Sequence, residues 1–254
     1  MSNLAFAPDG RTLATVGADQ TVKLWDLSDP RQPRQLGPPL TGHIDAIEGV
    51  AFAPDGRTLA TASADQTVRL WDLSDRDRPR QLGQPLTGHA SGVFKLAFTP
   101  DGRTLATASV DQTVRLWDLS DPRQPRQLGQ PLTNHTNAVS NLAFAPDGRT
   151  LATASLNQTI RLWDLSDRDR PRQLGQPLTG HTGPVYGVVF APDGHTLATT
   201  SDDQTIRLWE LPRFGRFPGD EVREACARAG GPLGKATWEQ YAPGVSYQDT
   251  CADR

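Results

Sequence analysis

A short segment recurs through the chain at a fixed interval, and this repeat constrains the fold more than any other feature. In residues 1–210 a tryptophan followed by an acidic residue occurs five times, and each occurrence begins 46 residues after the one before. These pairs begin at Trp25, Trp71, Trp117, Trp163 and Trp209. A fixed period of about 20 to 50 residues indicates a repeat architecture, in which each unit buries its apolar face against its neighbours.

Each repeat unit carries the signals of short β-strands. In the third unit, residues 93–98 are apolar, residues 104–109 alternate, and residues 113–119 are rich in β-branched and aromatic side chains. Such segments predict three strands. The Pro-Asp-Gly segment 100–102 predicts a tight turn between the first two, because proline presets φ, aspartate bonds to the local backbone and glycine accepts positive φ.

The fourth predicted strand of the unit covers roughly residues 126–133 and contains Gly129 and Pro131. Proline removes one hydrogen bond of the ladder, so this strand is predicted to lie at the outer edge of its sheet. Four antiparallel strands per repeat, arranged radially, predict an all-β fold: a β-propeller of four-stranded antiparallel blades with five visible repeats. No apolar stretch approaches the ~20 residues of a membrane-spanning helix.

Three motifs keep their mutual spacing from unit to unit. Gly-His precedes the first strand, Pro-Asp-Gly follows it, and Trp-Asp ends the third strand. On these motifs residues 1–211 resemble the WD-repeat β-propeller family, in a bacterial type with a short cysteine-containing C-terminal cap. The resemblance implies that a hydrogen-bonded tetrad of histidine, threonine, aspartate and tryptophan holds each blade. The implied tetrads are His43, Thr61, Asp65 and Trp71; His89, Thr107, Asp111 and Trp117; His135, Thr153, Asn157 and Trp163; and His181, Thr199, Asp203 and Trp209.

The tetrad of His135 departs from the family pattern at two positions. Asn134 replaces the glycine before His135, and asparagine tolerates positive φ, so the turn is expected to survive. Asn157 replaces the aspartate, so a hydrogen bond to His135 is expected to remain while the charge is lost. We therefore expect this tetrad to be the weakest.

Residues 212–254 break the period and are predicted to form a C-terminal cap, separate from the propeller blades of residues 1–211. Asp220 can begin a short helix that ends at Gly230, and a second short helix is predicted over residues 235–242.

Both cysteines of the chain, Cys226 and Cys251, lie in this cap. A disulfide between them would contribute about 3–4 kcal/mol in the chain-entropy model. Two reduced cysteines in a cytosolic protein are the equal alternative.

The number of blades decides what happens at the two ends of the array. The chain begins at the first strand of one unit, and the fifth unit stops after its third strand unless residues 213–218 supply a fourth. An open ring would expose apolar blade faces and favour self-association. Residues 2–10 are identical to residues 140–148, so we expect Met1 to lie inside a longer reading frame. A five-bladed ring and a ring completed by a partner are the alternatives.

Near-identical repeats allow the units to be compared position by position. Framework positions hardly change, whereas residues just after the histidine and just before the turn aspartate do. In the family that the chain resembles, these loops lie on one face around the central channel, which is the usual docking surface. The positions predicted to bind a protein or peptide are Glu48, Phe94, Ser140, Tyr186, Val110, Leu156 and Asp202. Phe94 and Tyr186 can act as aromatic anchors; drift after duplication or inward packing of these rings is the alternative.

Other residue patterns give no catalytic, metal or cofactor site. Histidine, threonine and aspartate recur in successive units, whereas a catalytic triad is expected once, with its own oxyanion site. No spacing indicates a metal ion, and no glycine-rich loop precedes a helix as phosphate binding requires. The net charge of −3 gives no basic footprint for nucleic acid. Arginines of the outer loops alternate with aspartates, which predicts a charge-balanced, solvated loop.

The sequence therefore predicts a non-catalytic protein-interaction scaffold without a cofactor, expected in the cytoplasm and expected to be the C-terminal sensing or docking part of a larger bacterial regulatory protein. Two alternatives stay open. A small-ligand-binding or catalytic propeller would carry a unique polar cluster at the central channel. A self-assembling structural repeat protein would associate without a partner.

Overall fold

The computed structural model describes residues 2–211, which form five antiparallel β-sheets. We number the strands in chain order and the sheets as blades 1 to 5. Blade 1 contains β1 (Asn3–Phe6), β2 (Thr12–Val16), β3 (Val22–Asp26) and β4 (Arg34–Leu40); blade 2 contains β5 (Ile47–Phe52), β6 (Thr58–Ser63), β7 (Val68–Asp72) and β8 (Arg80–Leu86); blade 3 contains β9 (Val93–Phe98), β10 (Thr104–Ser109), β11 (Val114–Asp118) and β12 (Arg126–Leu132); blade 4 contains β13 (Val139–Phe144), β14 (Thr150–Ser155), β15 (Ile160–Asp164) and β16 (Arg172–Leu178); and blade 5 contains β17 (Val185–Phe190), β18 (Thr196–Ser201) and β19 (Ile206–Glu210).

The strands of every blade follow one another across the sheet in chain order, each antiparallel to the next. The proline-containing fourth strand lies at the edge in blades 1 to 4, as predicted, and β12 is one residue shorter than predicted. The predicted all-β fold of four-stranded antiparallel blades is confirmed. The predicted cap helices, together with Cys226 and Cys251, lie outside the described residues. Within residues 2–211, no helix is long and apolar enough to cross a membrane.

The Pro-Asp-Gly turn joins the first and second strands of each blade. In blade 2, Gly56 donates its N–H to the Ala53 carbonyl at 2.9 Å, and Asp55 Oδ1 accepts the N–H of Arg57 at 2.8 Å. Gly56 has a φ of 65°, a left-handed conformation that glycine adopts without the steric penalty of a Cβ. The turn therefore fixes the pairing of the two strands by backbone geometry and one carboxylate.

A second turn, between the second and third strands, contains a left-handed glutamine in every blade. Gln66 has a φ of 72°, and its four equivalents have φ values between 63° and 72°. This conformation costs a non-glycine residue about 1–2 kcal/mol. Asp65 offsets the cost locally, because its Oδ1 accepts both the N–H and the hydroxyl of Thr67, at 2.9 and 2.7 Å.

Consecutive blades pack face to face, chiefly through their first and second strands. The core between blades 1 and 2 joins Val22 and Leu24 of β3 to Ile47 of β5 and Trp71 of β7, all of them buried. Ala14 of β2 is fully buried in the same core, and its small side chain lets the sheets approach closely. Equivalent cores lie between blades 2 and 3 and between blades 3 and 4. Each blade is therefore stabilised by its neighbours.

Candidate functional site

The tetrad of blade 3 joins a loop, two strands and a turn. His89 precedes β9, Thr107 lies on β10, Asp111 follows β10 and Trp117 lies on β11. His89 Nδ1 is 2.9 Å from Asp111 Oδ2, and His89 Nε2 is 2.8 Å from Thr107 Oγ1. Trp117 Nε1 donates to the same Thr107 oxygen at 3.0 Å.

Two further tetrads repeat this geometry. The histidine–aspartate, histidine–threonine and tryptophan–threonine distances are 2.8, 2.9 and 3.0 Å for His43, Thr61, Asp65 and Trp71, and 2.8, 2.8 and 2.9 Å for His181, Thr199, Asp203 and Trp209. The blade 1 counterpart lacks a histidine, and Trp25 Nε1 donates to Thr15 Oγ1 at 3.0 Å.

The tetrads of blades 2 and 3 hold a neutral imidazole beside an ionised carboxylate. Burial lowers the pKa of His89 more than the hydrogen bond to Asp111 raises it. Burial alone would raise the pKa of Asp111, but hydrogen bonds, of which that from Thr113 is the largest, hold it below its usual value. His89 therefore donates Nδ1–H to the carboxylate, and its Nε2 accepts the hydroxyl hydrogen of Thr107, an assignment that follows from the network.

This arrangement leaves no accessible nucleophile. Thr107 has no exposed surface, and its hydroxyl is engaged by both His89 and Trp117. The pKa values of His43 and Asp65 are shifted in the same directions as in blade 3, with burial acting on the histidine. The tetrads thus hold the blades and offer no reactive group at a surface.

The tetrad of His135 differs from the others. His135 Nε2 is 2.7 Å from Thr153 Oγ1, but His135 Nδ1 has no hydrogen-bond partner among residues 2–211. The expected bond from Asn157 is not made. Asn157 uses its only carbonyl oxygen to accept from Thr159, and its amide nitrogen, itself a donor, bonds to Thr136 Oγ1 at 2.9 Å. Burial, together with the nearby guanidinium charge of Arg161, lowers the pKa of His135 to about 4.

At Asn134 the turn survives as expected, since His135 still reaches Thr153, but it does not use the positive φ on which the expectation was based. The equivalent glycines, Gly42, Gly88 and Gly180, have φ values from 128° to 145°, whereas Asn134 does not take a positive φ. Asparagine visits the left-handed region near +57°, which is far from these values. The chain therefore takes another backbone conformation here, and Asn134 Nδ2 donates to Gln173 Oε1 at 2.9 Å.

The fifth residue after each tetrad histidine, one of the variable positions, lies at a β-bulge. In blade 3, Val93 pairs with Ser109 and Lys95 pairs with Ala108, so Phe94 is the extra residue. The extra residues at the same position in the other blades are Glu48, Ser140 and Tyr186. Bulges re-aim a side chain and are over-represented next to functional sites. Sequence comparison found these positions but missed the bulge, because strand patterning does not show an unpaired residue.

In two of the four bulges, a side chain of the preceding blade anchors the backbone. Asn3 Nδ2 of blade 1 donates to the Glu48 carbonyl at 3.0 Å, and Asn141 Nδ2 of blade 4 donates to the Tyr186 carbonyl at 2.7 Å. These side chains hold the bulge carbonyls against the neighbouring sheet. The bulges of Glu48 and Tyr186 are therefore fixed in place while their own side chains are left for other contacts.

The four bulge side chains are not equivalent. Phe94 is 39% exposed and Tyr186 is 50% exposed, so both rings reach solvent. Glu48 is partly exposed. The Ser140 hydroxyl lies within hydrogen-bond distance of the Val185 carbonyl of blade 5, so Ser140 joins two blades instead of facing outward.

The turn residues Val110, Leu156 and Asp202 lie beside the lead-in loops of their own blades. The Val110 N–H donates to the Gly92 carbonyl at 3.1 Å, and Gly92 is two residues before Phe94. Equivalent bonds tie Leu156 and Asp202 to the corresponding loops at 3.1 and 3.0 Å. The structure thus brings each variable turn next to a variable bulge. Val110 and Leu156 are partly exposed, and Asp202 is exposed.

Two arginines of the outer loops form bonds between blades that sequence reasoning missed. Arg76 of blade 2 donates to Asp9 of blade 1 at 2.6 Å. Arg168 of blade 4 donates to Asp101 of blade 3 at 2.9 Å and to Thr104 Oγ1 at 2.9 Å. These loops alternate along the chain with loops that carry a proline, Pro30 or Pro122, at the position of the arginine, a signal that could have suggested bonds between blade pairs.

A family model described as WD domain, G-beta repeat matches five segments of the chain: residues 1–26, 35–72, 80–118, 126–164 and 172–210. Each of the last four segments begins on the fourth strand of one blade and ends on the third strand of the next. A comparison with curated proteins finds no match to the chain. WD repeats generally act as protein-interaction scaffolds without catalysis of their own. With the repeats matched over most of its length and built into blades of this form, the chain belongs to the WD-repeat family.

Proposed function

We propose that the chain is a non-catalytic scaffold that binds another protein or peptide through one surface. This bulge surface consists of Glu48, Phe94 and Tyr186 with the neighbouring turn residues Val110, Leu156 and Asp202. The observation that carries the proposal is the coincidence of sequence variation with the bulges. The repeats keep the framework almost unchanged and vary the residues that bulges turn away from the ladder.

The rigidity and the exposed side chains of the bulge surface suit it to bind a protein partner. The buried cores hold the strands that carry the bulges, and the side chains of Asn3 and Asn141 fix the bulge backbones at Glu48 and Tyr186. A rigid scaffold that carries variable loops loses little entropy when it binds. Exposed aromatic rings such as Phe94 and Tyr186 are the residue type that supplies most of the binding energy in interfaces. The carboxylates of Glu48 and Asp202 lie in the same surface and favour a partner with basic groups around an apolar contact.

Site-specific photo-crosslinking tests this proposal. A photoreactive phenylalanine is introduced singly at Phe94, Tyr186 or Phe6 in the full chain, which is then expressed in its own organism and irradiated. Phe6 is the matched control, because it is an aromatic residue 57% exposed on the first blade but outside any bulge. We expect the Phe94 and Tyr186 variants to give an adduct of the same mass with the same protein, and the Phe6 variant not to give it.

Two results would count against the proposal. The first is an adduct pattern that is the same for all three positions, because it would report general stickiness of exposed rings. The second is the absence of a discrete protein adduct from both bulge positions.

A further inference from the structure

An arginine of one blade is held by the turn of the preceding blade. Arg76 of blade 2 donates from Nη1 to Asp9 Oδ2 and to Thr12 Oγ1 of blade 1, each at 2.6 Å. Its Nη2 donates to the Gly56 carbonyl of its own blade at 3.4 Å. A carboxylate, a hydroxyl and a carbonyl thus surround one guanidinium, and we call this set of acceptors the arginine slot.

The arginine slot is built a second time between blades 3 and 4. Arg168 of blade 4 donates from Nη1 to Thr104 Oγ1 and from Nη2 to Asp101 Oδ2 of blade 3, both at 2.9 Å. Because the two slots lie in different pairs of blades, their agreement indicates that this arrangement of acceptors suits a guanidinium. The fork of an arginine reaches a carboxylate and a hydroxyl together, which the compact ammonium of a lysine does less well.

Between blades 2 and 3 the side-chain acceptors are present and the arginine is not. Asp55 Oδ1 accepts the N–H groups of Arg57 and Thr58 at 2.8 and 3.1 Å, and Asp9 Oδ1 accepts the equivalent groups at 2.8 and 3.2 Å. The Asp55 carboxylate is therefore held by its turn as Asp9 is, with Oδ2 left for a side-chain donor. Among residues 2–211, no side chain bonds to Asp55 or to the Thr58 hydroxyl.

Pro122 of blade 3 stands where the other two pairs of blades have the arginine. The loop around Pro122 keeps its course. The Gln124 N–H donates to the Asp121 carbonyl at 3.0 Å, and the equivalent bond in the loops of Arg76 and Arg168 is 3.1 Å. The proline therefore removes the guanidinium and leaves the loop backbone and the acceptors in place.

The space beside the third acceptor also differs. A Cβ built on Gly56 would lie 3.9 Å from Arg76 Nη2. A Cβ built on Gly102, the equivalent glycine, would have only Pro54 within 4 Å apart from its chain neighbours. Within residues 2–211, no side chain from elsewhere in the chain therefore replaces the guanidinium on this side of the slot.

We propose that the slot of Asp55, Thr58 and the Gly102 carbonyl binds an arginine side chain of another protein. One terminal nitrogen of this arginine donates to the carboxylate and the hydroxyl, and the other donates to the carbonyl, as Arg76 does in its own slot. Charge complementarity favours this occupant, because Asp55 is exposed and forms no ion pair within residues 2–211. A second copy of the chain fits less well, because its outer-loop arginines lie among aspartates that would come close to Asp55 with like charge. The slot is separate from the bulge surface, so either can exist without the other.

Titration of the full 254-residue chain with a short peptide tests the proposal. The probe is acetyl-Gly-Arg-Gly-amide, added at low salt to the isotope-labelled chain while the amide signals of Arg57 and Thr58 are followed by NMR. We expect saturable shifts with a dissociation constant of about 1–10 mM, because one partly exposed ion pair and its hydrogen bonds supply the contact. A lysine peptide should bind about threefold to tenfold more weakly. A citrulline peptide, which keeps the shape of arginine without its charge, should cause no shifts.

Variants of the chain identify the site. Pro122→Arg supplies the arginine from the neighbouring loop and should weaken peptide binding about tenfold or more, because an arginine tethered beside the slot competes at high effective concentration. Pro30→Arg is the matched control, because it makes the same substitution in the loop of blade 1, away from this slot, and it should leave peptide binding unchanged. Asp55→Asn should weaken binding about threefold to tenfold, since it removes the charge and keeps an acceptor for the turn.

Four outcomes would overturn the proposal. The first is the absence of saturable shifts up to about 20 mM peptide, which is also the result if residues 212–254 already fill the slot. The second is equal binding of the arginine and citrulline peptides, and the third is equal binding of the arginine peptide by the Pro122→Arg and Pro30→Arg variants. The fourth is a Thr58 signal that shifts with protein concentration in the free chain but not in Pro122→Arg, because a second copy would then supply the arginine.

Discussion

Asn157 and His135 lie on the same blade in the positions of a tetrad pair, yet Asn157 Nδ2 bonds to Thr136 and leaves His135 Nδ1 without a partner among residues 2–211. In blades 2, 3 and 5 the tetrad aspartate accepts hydrogen bonds from two partners at once. One oxygen accepts from the turn threonine and the other accepts from the histidine, as Asp111 does for Thr113 and His89. An amide has only one accepting atom, so replacing aspartate by asparagine breaks the link to the histidine.

Restoring the carboxylate should therefore stabilise blade 4. We expect Asn157→Asp to increase the free energy of unfolding by about 1–2 kcal/mol, because it adds a hydrogen bond to a charged acceptor. It should also raise the pKa of His135 from about 4. Urea unfolding followed by tryptophan fluorescence measures the first change, and NMR titration of the imidazole measures the second.

The matched control is Asp111→Asn, which makes the opposite change in blade 3. It should lower the free energy of unfolding by a similar amount. If both variants shift stability in the same direction, the account of the tetrads is incorrect.

The low pKa values of the buried histidines predict a dependence of stability on pH. The unfolded chain protonates His43, His89 and His135 near pH 6.5, whereas in the folded chain burial lowers their pKa values, that of His135 to about 4. The unfolded state thus binds more protons in this window, and the free energy of unfolding should fall as pH drops from 6.5 towards 4. His135 accounts for up to about 3 kcal/mol of this fall in the free energy of unfolding.

Urea unfolding at pH 7.0, 5.5 and 4.5 measures this dependence. Protonation of the tetrad aspartates lowers the free energy of unfolding only at lower pH, because hydrogen bonds hold the pKa values of Asp65 and Asp111 below their usual value. The Asn157→Asp variant should show a smaller fall above pH 4.5 than the unmodified chain. An unmodified chain equally stable at pH 7.0 and 4.5 would rule out this assignment.

The bonds of Arg168 predict a small stabilising contact between blades 3 and 4. Arg168→Ala should lower the free energy of unfolding by about 0.5–1 kcal/mol, the modest value of a partly exposed ion pair. The pKa of Asp101, now about 2, should rise, because Arg168 is one of the groups that holds it down against burial. Arg170→Ala in the same loop is the control and should change neither quantity. A loss for Arg168→Ala that persists in high salt would contradict an electrostatic origin.

The bulge position predicts that Phe94 can be changed without harm to the fold. We expect Phe94→Thr to alter the free energy of unfolding by less than about 0.5 kcal/mol, because the ring is not part of a blade core. Leu96→Ala, two residues along the same strand, should cost about 2–4 kcal/mol, because Leu96 is buried in the core between blades 2 and 3. Chemical unfolding of both variants checks the contrast. Equal losses would mean that Phe94 packs inward.

The strands could be predicted from the sequence because they depend on local patterns that the repeat presents five times. Three such features each determine the backbone conformation of their own unit: the β-branched residues in 113–119, the turn at 100–102 and Pro131 at the edge. The pattern of any single unit would have left its strand assignment ambiguous. Agreement among the repeats at fixed spacing is what made the fold predictable.

The site could be predicted only in part. Variation marked Phe94 and Tyr186, but an unpaired residue inside a strand leaves no composition signal, so the bulges were missed. The predicted role of Ser140 did not allow for its contact with Val185, since that carbonyl comes from another blade. The errors at Asn134 and Asn157 share one cause: the substituted residue was assumed to keep the conformation or the partner of the residue it replaces.

The measurement that most directly tests the account is a binding affinity. The partner protein identified by crosslinking at Phe94 and Tyr186 is titrated with the double variant Phe94→Ala/Tyr186→Ala and, as the control, with Phe6→Ala. The account predicts at least about a tenfold loss for the double variant, as expected when aromatic anchors are truncated, and no loss for Phe6→Ala. Affinity that is unchanged in the double variant, or reduced equally in both proteins, would contradict the assignment of the bulge surface.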